Sequence, residues 1–304
     1  MRILIIHNPF SGPKGDDIYS FVRSALRPGD ELVMRLTSAE HSTAELTADA
    51  ASFDAVVASG GDGTVARVSY AVRESGTPVL VFPSGTANLL ANNIGNATEP
   101  AALAATLRAG RTVRLDMGEM SYADTAGVRH AEGFLTIAGA GYDASIMRGS
   151  QDLKPLFGQL SYYLAAIGSA QAKSSHFRLV LDGAPLEADG ICVLVGIWGS
   201  VSPTMQIIEG ADPADGLLDV AVVRAEHPIE VLPAAISAAL GQGVGSAVEV
   251  HRAREVTVEC YPPMPMQFDG EAIEGATTPF TARVLPGALT TFVDKLSPLA
   301  PLAK

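Results

Sequence analysis

Short apolar runs alternate with helix-patterned segments through the first third of the chain. The runs that predict buried strands are RILII (2–6), ELVMRL (31–36), FDAVVAS (53–59) and PVLVFP (78–83). Between them, apolar positions recur at helical spacing, at Ile18, Phe21, Val22, Ala25 and Leu26 and again at Val65, Val68, Ala71 and Val72. This βαβα rhythm predicts an α/β domain whose parallel sheet carries helices on both faces.

Three further segments of this region predict helices. They are SAEHSTAELTADAA (38–51), ANLLANNI (87–94) and PAALAATLRAG (100–110). A serine favours a helix N-terminus because its hydroxyl accepts a hydrogen bond from a backbone N–H of the first turn. We therefore predict Ser38 as the N-cap of the first segment.

The rhythm changes after Gly110. Strand-like runs joined by Gly and Asp turns follow, and Asp182-Gly183 between two such runs predicts a hairpin. Helical patterns are few, at 159–172 and 229–240. The predicted organisation is an α/β domain over 1–112 and a β-rich domain, an antiparallel sandwich, over 113–286. Residues 287–304 are expected to pack back on the first domain.

Composition narrows the function classes. The chain has 304 residues, 47% of them hydrophobic, and a net charge of −12, so a sizeable core is expected and nucleic acid is a poor partner. The longest apolar stretch, 231–250, is interrupted by Pro, Gly, Gln and Ser, which argues against a transmembrane segment. Cys192 and Cys260 lie in apolar contexts and fit the reducing cytoplasm, where we expect the protein to be located.

A glycine-rich turn joins the third predicted strand to a helix. It consists of Gly60, Gly61, Asp62, Gly63 and Thr64. Glycines let backbone N–H groups approach an anion, and the following helix N-terminus adds partial positive charge, so the turn is typical of a phosphate site. The Asp62 carboxylate would repel phosphate unless Mg²⁺ or an acceptor hydroxyl lay between them, which points to Mg-nucleotide chemistry. The alternative is a tight turn that only connects strand to helix.

GGDGTV (60–65) resembles the signature of the diacylglycerol kinase catalytic domain family, which includes sphingosine and bacterial lipid kinases. NAD kinases and phosphofructokinases carry a related signature. Further segments resemble the family in the same order along the chain, namely HNPFSG (7–12), PSGTANLLA (83–91), ADPADGLLDV (211–220) and QFDGE (267–271). The resemblance implies a Rossmann-like first domain of the NAD kinase and diacylglycerol kinase type. It also implies an ATP-dependent lipid kinase that uses Mg²⁺.

The resemblance implies roles for particular residues. Those implied in nucleotide binding are Asn8, Pro9, Ser11, Gly12, Thr37, Gly60, Gly61, Asp62, Gly63, Thr64, Gly85, Thr86 and Asn88. Those implied in catalysis are Glu271 as the base, Asp269 as its support, and Asp116, which would position the metal or its waters. If QFDGE is one continuous strand, Asp269 and Glu271 share a face because they lie two residues apart.

A structural Mg²⁺ is implied at the acidic loop, with Asp212, Asp215 and the Leu217 carbonyl as oxygen ligands. Ordinary structural roles stay open for several of these positions. Thr37 can simply cap a helix, Asp116 can be an exposed strand residue, and the acidic loop can be a metal-free hairpin turn. Trp198 and an apolar stripe in 159–167 are candidates for lining a lipid cleft, although core packing is the commoner role of such a stripe.

Two positions depart from the family pattern. Leu89 stands where Asp is common and Asn92 where Arg is common, so the identity of the substrate transfers less securely. The expected acceptor is a lipid hydroxyl, from diacylglycerol or a related lipid, that enters a cleft between the domains from the inner membrane surface. A sphingoid-base kinase, a kinase for a soluble acceptor such as NAD, and a catalytically weak nucleotide- or lipid-binding protein stay open as alternatives, as does a homodimer.

Overall fold

The computed structural model describes residues 1–11, 17–141, 174–202, 205–225, 230, 237 and 245–303. The chain divides into two compact units. The first unit comprises Met1–Met117 and Pro286–Lys304, and the second comprises Gly118–Leu285. The implied nucleotide residue Gly12 and the two predicted helices at 159–172 and 229–240 lie largely or wholly outside the described residues.

The first unit is an α/β layer structure. Its elements are β1 (Arg2–His7), α1 (Asp17–Ala25), β2 (Glu31–Leu36), α2 (Thr43–Leu46), β3 (Ala55–Gly60), α3 (Asp62–Val72), β4 (Val79–Pro83), α4 (Leu89–Ile94) and α5 (Pro100–Ala109). The strand order is β2–β1–β3–β4 and each pair is parallel. The C-terminal segment that begins at Pro286 returns to this unit, where Thr291 pairs in parallel with Val79 of β4. The predicted parallel sheet is confirmed.

Burial explains the continuous apolar strands. Ile3 and Ile5 of β1 are fully buried in one cluster with residues of α1 and α5. Phe21 of α1 meets Phe82 of β4 edge to face, with ring centroids 5.5 Å apart. Because helices cover β1, β3 and β4, the central residues of these strands are apolar at consecutive positions rather than alternating.

The N-cap of helix α2 lies four residues after Ser38, so the assignment of Ser38 as the N-cap is wrong. The cap is Ser42, whose Oγ accepts from the Glu45 N–H at 3.2 Å while the Glu45 carboxylate accepts from the Ser42 N–H at 2.8 Å. This reciprocal pair is a capping box, and its sequence signal is the Ser-Thr-Ala-Glu run at 42–45. Ser38 instead accepts from the Glu40 N–H within a turn.

The second unit is built from antiparallel strands. They are β5 (Thr112–Asp124), β6 (Arg129–Phe134), β7 (Ile137–Gly141), β8 (Ser175–Leu181), β9 (Ala184–Gly190), β10 (Cys192–Gly196), β11 (Ser200–Ser202), β12 (Met205–Gln206), β13 (Leu218–Val223), β14 (Val248–Ala253), β15 (Glu255–Tyr261), β16 (Pro265–Phe268) and β17 (Glu271–Phe292). The first residues of β5 and the last of β17 belong to the first unit. One run of paired strands is β14–β13–β10–β7–β16–β17, and another is β9–β8–β15–β17.

One hydrophobic cluster draws on both runs of strands. It includes Val193 of β10 and Val220 of β13 from one run, and Phe177 of β8 and Val256 of β15 from the other. Trp198 is partly buried against this cluster, as expected for core packing. A shared core between two layers of strands is the organisation of a β-sandwich.

The hairpin predicted at Asp182-Gly183 is confirmed. It joins β8 to β9, and both turn residues have positive φ, +48° and +87°. The Asp182 carboxylate also accepts the N–H groups of Arg254 and Glu255, each at 2.9 Å.

We predict that Gly118→Ala in β5 destabilises the second unit. A Cβ at this position would lie 2.0 Å from the ring of Phe134, which is fully buried, so the core must shift to admit it. Such overpacking costs about 1–3 kcal/mol in the free energy of unfolding, measurable by denaturant titration. Ser121→Ala on the same strand is the control, since Ser121 is exposed, and should stay within about 0.5 kcal/mol. Equal stability of the two variants would contradict the packing account.

Candidate active site

The carboxyl ends of three parallel strands are joined by backbone hydrogen bonds. The Asn8 N–H donates to the Ser59 carbonyl at 2.8 Å, and the Ser84 N–H donates to the Gly60 carbonyl at 3.0 Å. The Thr37 N–H donates to the carbonyl of His7 at 2.9 Å, so the residue after β2 joins the same edge. In an open α/β sheet this edge is where ligands bind.

Side chains extend this network. The Asn8 Nδ2 donates to Thr64 Oγ1 at 3.1 Å, and its Oδ1 accepts the Phe10 N–H at 3.0 Å. The hydroxyls of Ser11 and Ser84 lie 2.9 Å apart. Pro9, which follows Asn8 in the chain, is exposed. Residues 8–11 of the HNPFSG segment are thereby brought against the GGDGTV and PSGTANLLA segments.

Two glycine-bearing turns meet closely at this edge. A Cβ on Gly85 would lie 2.6 Å from the Cα of Gly61, which no real side chain tolerates. The Asn88 side chain holds the second turn, because its Oδ1 accepts the Gly85 N–H and its Nδ2 donates to the Gly85 carbonyl, both at 2.9 Å. Asn88 itself has a φ of +48°, a conformation that Asn adopts more readily than most residues.

Helix α3 opens directly from the first turn. Its N-cap is Gly61, and Gly63 and Thr64 lie buried in the first turn of the helix. Backbone N–H groups at a helix N-terminus have no partner within the helix and attract anions. Thr86 is exposed at the second turn. We refer to residues 60–64 and 84–88 together as the cradle.

The Asp62 carboxylate faces the start of α4. It accepts the Leu90 N–H at 3.3 Å, and the N–H groups of Leu89 and Asn88 also point to it. Burial raises the pKa of Asp62, and these backbone donors oppose that rise. The side chain of Asn88, the N-cap of α4, makes no capping bond, so Asp62 supplies the cap from another element. The contact explains how a carboxylate can stand next to an anion-binding turn.

Asp116 is buried rather than exposed. Its side chain is 3% accessible, so the alternative of an exposed strand residue is wrong. Its Oδ1 accepts the Gly287 N–H at 2.7 Å, and Arg114 donates to the Gly287 carbonyl from the same strand. Asp116 therefore anchors the returning C-terminal segment within the first unit.

Asp269 and Glu271 lie in the second unit and do not share a strand face. Strand β16 ends at Phe268, and Asp269 and Gly270 form a two-residue turn before β17 begins at Glu271. Asp269 is 5% accessible and bound to the 135–136 segment, whereas Glu271 is exposed. The condition under which the two acids would share a face, one continuous strand, is not met, because both turn residues have positive φ.

The acidic loop after Gly210 carries Asp212 and Asp215, and Asp215 lies near an arginine. Asp212 and Asp215 each accept a backbone N–H within the loop, from Ala214 and Leu217. Arg252 Nη1 lies 3.9 Å from Asp215 Oδ2, and its Nε is hydrogen-bonded to Asp219 at 2.9 Å.

Two carboxylates and the Leu217 carbonyl suit a hard cation in ligand type, with waters completing its shell. Within the described ranges, no three His, Cys, Asp or Glu side chains are grouped so as to hold a metal ion. Asp219 and Arg252 were not predicted from the sequence, and their pairing across β13 and β14 had no local signal.

Models of known domain families match most of the chain. Residues 2–120 match the diacylglycerol kinase catalytic domain, and residues 136–293 match the YegS C-terminal NAD kinase beta sandwich-like domain. The chain belongs to the diacylglycerol kinase family. Membership confirms the predicted enzyme class, a phosphotransferase of the lipid kinase type with an alcohol group as acceptor.

Individual relatives of similar sequence include proteins named as diacylglycerol or lipid kinases. A diacylglycerol kinase of Mycobacterium tuberculosis is 30% identical over 222 residues, which cover 72% of this chain and 70% of the relative. A Pseudomonas aeruginosa protein named "Probable lipid kinase YegS-like" is 28% identical over 98% of this chain and 95% of its own length. The Synechocystis protein sll0036 is 28% identical over 249 residues, and the chain spans 54% of that protein's length.

Solved structures share the fold. A diacylglycerol kinase structure from Bacillus anthracis superposes with a TM-score of 0.75 at 22% identity, covering 96% of this chain and 97% of that one. Yeast NADH kinase in complex with NADH superposes with a TM-score of 0.60 at 9% identity, covering 97% and 84%. The predicted fold class, an α/β domain with a β-sandwich, is confirmed.

Asp62→Ala should destabilise the first unit by about 1 kcal/mol, because it removes the cap of α4. Asp62→Asn keeps an acceptor oxygen and should lose less than half as much. Chemical denaturation of both variants at neutral pH measures the difference. An equal loss in the two variants would show that the charge, and not the capping oxygen, supports α4.

His7 should make the protein less stable in mild acid. Burial lowers the pKa of its ring below the usual 6.5, and Nδ1 lies 2.9 Å from the Ser59 hydroxyl. Below pH 6.5 the unfolded chain binds a proton at this ring that the folded chain excludes, so the free energy of unfolding falls as pH falls. Over that window His7→Gln should flatten the slope by up to about 1.4 kcal/mol per pH unit. An unchanged slope would contradict the assignment.

Proposed function

We propose that the protein transfers the γ-phosphoryl group of ATP to the hydroxyl of a lipid, with diacylglycerol as the first candidate. The observation that carries the proposal is the cradle, in which two glycine turns and the N-terminus of α3 lie at the carboxyl edge of a parallel sheet. Family membership supplies the class of reaction. Residues 1–112 are proposed to bind the nucleotide and 113–286 to bind the lipid.

The cradle suits the phosphates of ATP. Backbone N–H groups at the N-terminus of α3 can donate to phosphate oxygens, since Gly61 and Gly85 keep the backbone open to close approach. The Thr86 hydroxyl is exposed and can add another donor. Asn8 and Ser11 support the cradle by bonding to Thr64 and Ser84. Gly12, Pro9 and Thr37 are proposed to complete the nucleotide site.

The acceptor hydroxyl must lose a proton as the phosphoryl group arrives. We assign that proton to the Glu271 carboxylate, which is exposed at the start of β17. Mg²⁺ would neutralise charge that develops on the phosphate oxygens. A second cation at Asp212, Asp215 and the Leu217 carbonyl is proposed to be structural. Among the described helices, none has the length and apolar composition that a membrane span needs.

Labelled ATP with a panel of acceptors tests this function. Purified protein is incubated with Mg²⁺ and diacylglycerol, sphingosine, phosphatidylglycerol or NAD, the lipids being supplied in mixed micelles. We expect transfer to a lipid, with diacylglycerol the best acceptor. Transfer to NAD alone would replace the lipid assignment by a soluble acceptor, and no transfer to any acceptor would contradict a kinase function.

Glu271→Gln tests the proposed base. Turnover on the best acceptor should fall at least about 100-fold, because general base catalysis typically contributes about 10²–10⁴-fold. Binding of ATP, measured by calorimetry, should change less than twofold. Glu274→Gln is the matched control, since this residue is also exposed on β17 and should keep turnover. Equal turnover in the two variants would rule out Glu271 as the base.

A further inference from the structure

The Asp269-Gly270 turn is unusual in what it buries. Its neighbours Phe268 and Glu271 form the closing pair of the hairpin, and its two residues have φ values of +47° and +84°. Turns that connect strands normally run over the protein surface. Here the residue Asp269 is only 5% accessible. Something other than turn geometry must hold the carboxylate inside.

The segment that joins β6 to β7 holds this carboxylate. Asp269 Oδ2 accepts the Leu135 N–H at 2.8 Å, and Oδ1 accepts the Thr136 N–H at 2.7 Å and the Thr136 hydroxyl at 2.6 Å. In the other direction the Asp269 N–H donates to the Ile137 carbonyl at 2.8 Å. Burying a carboxylate is costly unless donors of this kind compensate it, and bonds to a charged acceptor are among the strongest.

The turn is also tied to its own strand. Gln267 is 3% accessible, and its Oε1 accepts the Gly270 N–H at 3.1 Å. Both turn residues are thus held by side-chain or backbone bonds, and Glu271 follows immediately. The position of the Glu271 backbone depends on how firmly the turn is held.

We propose that Thr136 is a positioning residue for Glu271 and acts through Asp269. This inference rests on the proposed role of Glu271 as the base. We call the hydrogen bonds between Asp269 and residues 135–137 the clamp. The Thr136 hydroxyl contributes to the clamp through a side chain, whereas Leu135 and Ile137 contribute through the backbone, so the choice of residue at position 136 controls this bond. Asp269 serves as the anchor of the turn, because its two oxygens are engaged by three donors.

The clamp fixes the register of the turn that precedes Glu271. A one-residue loss of register in the turn would move Glu271 to the opposite face of β17, because side chains alternate along a strand. A displacement of a reacting group by about 1 Å can cost about 100-fold in rate. The structure therefore needs rigidity here even though Glu271 itself is exposed.

Thr136→Val and Thr136→Ser separate the hydroxyl from the shape of the side chain. Valine keeps the β-branch and removes the donor, whereas serine keeps the donor. On the best acceptor of the panel, we expect Thr136→Val to lower kcat about 10- to 100-fold per folded enzyme, with the KM for ATP unchanged within about twofold. Thr136→Ser should keep kcat within about threefold of wild type. Amide exchange at residues 135 and 269–271 should accelerate in the valine variant only.

Three results would overturn the inference. They are equal kcat in Thr136→Val and wild type, equal losses in the valine and serine variants, and a loss of activity that matches only a smaller folded fraction. The failure of the proposed function has a different signature. If Glu271→Gln keeps full turnover, the base assignment is lost whatever Thr136 does. If Glu271→Gln is inactive and Thr136→Val is normal, only the positioning role is lost.

Discussion

The contact between the turns at Gly61 and Gly85 is the constraint on which the candidate nucleotide site depends. A side chain at residue 85 would reach within 2.6 Å of the neighbouring Cα, so the two turns can meet only if glycine occupies this position. Their approach places the N-terminus of α3 beside the second turn and lets Asp62 of the first turn cap α4 beyond it. One backbone contact thus organises both motifs at the carboxyl edge of the sheet.

Three aspartates stabilise loops of this molecule in the same way, by accepting backbone hydrogen bonds. Asp116 and Asp269 are buried and Asp62 is partly buried, and each of the three accepts at least one backbone N–H from a segment distant in sequence. The carboxylate offers several lone pairs, so it can fix a loop that has no regular partner for its N–H groups. Aspartates in the family motifs can therefore stabilise loops as well as take part in catalysis. The exposed acid Glu271 differs from these three and is the better candidate for proton transfer.

Much of the fold followed from local patterns in the sequence. The apolar runs predicted the strands of β1 to β4, and the Asp-Gly pair at 182–183 predicted a hairpin, because burial and turn conformation are both local preferences. Ser38 was the wrong cap because a stronger capping box lay four residues further on. The clamp at Asp269 could not be foreseen, since its partners lie more than 130 residues away and only the folded chain brings them together.

The central claim is that the cradle binds the phosphates of a nucleotide. Calorimetric titration of a non-hydrolysable ATP analogue into wild type and Gly85→Ala tests it most directly, with Glu74→Ala, an exposed site in the same unit, as control. The account predicts measurable binding to wild type and to the control, and at least about tenfold weaker binding to a folded Gly85→Ala protein, which corresponds to about 1.4 kcal/mol. Equal affinity in all three proteins would contradict it.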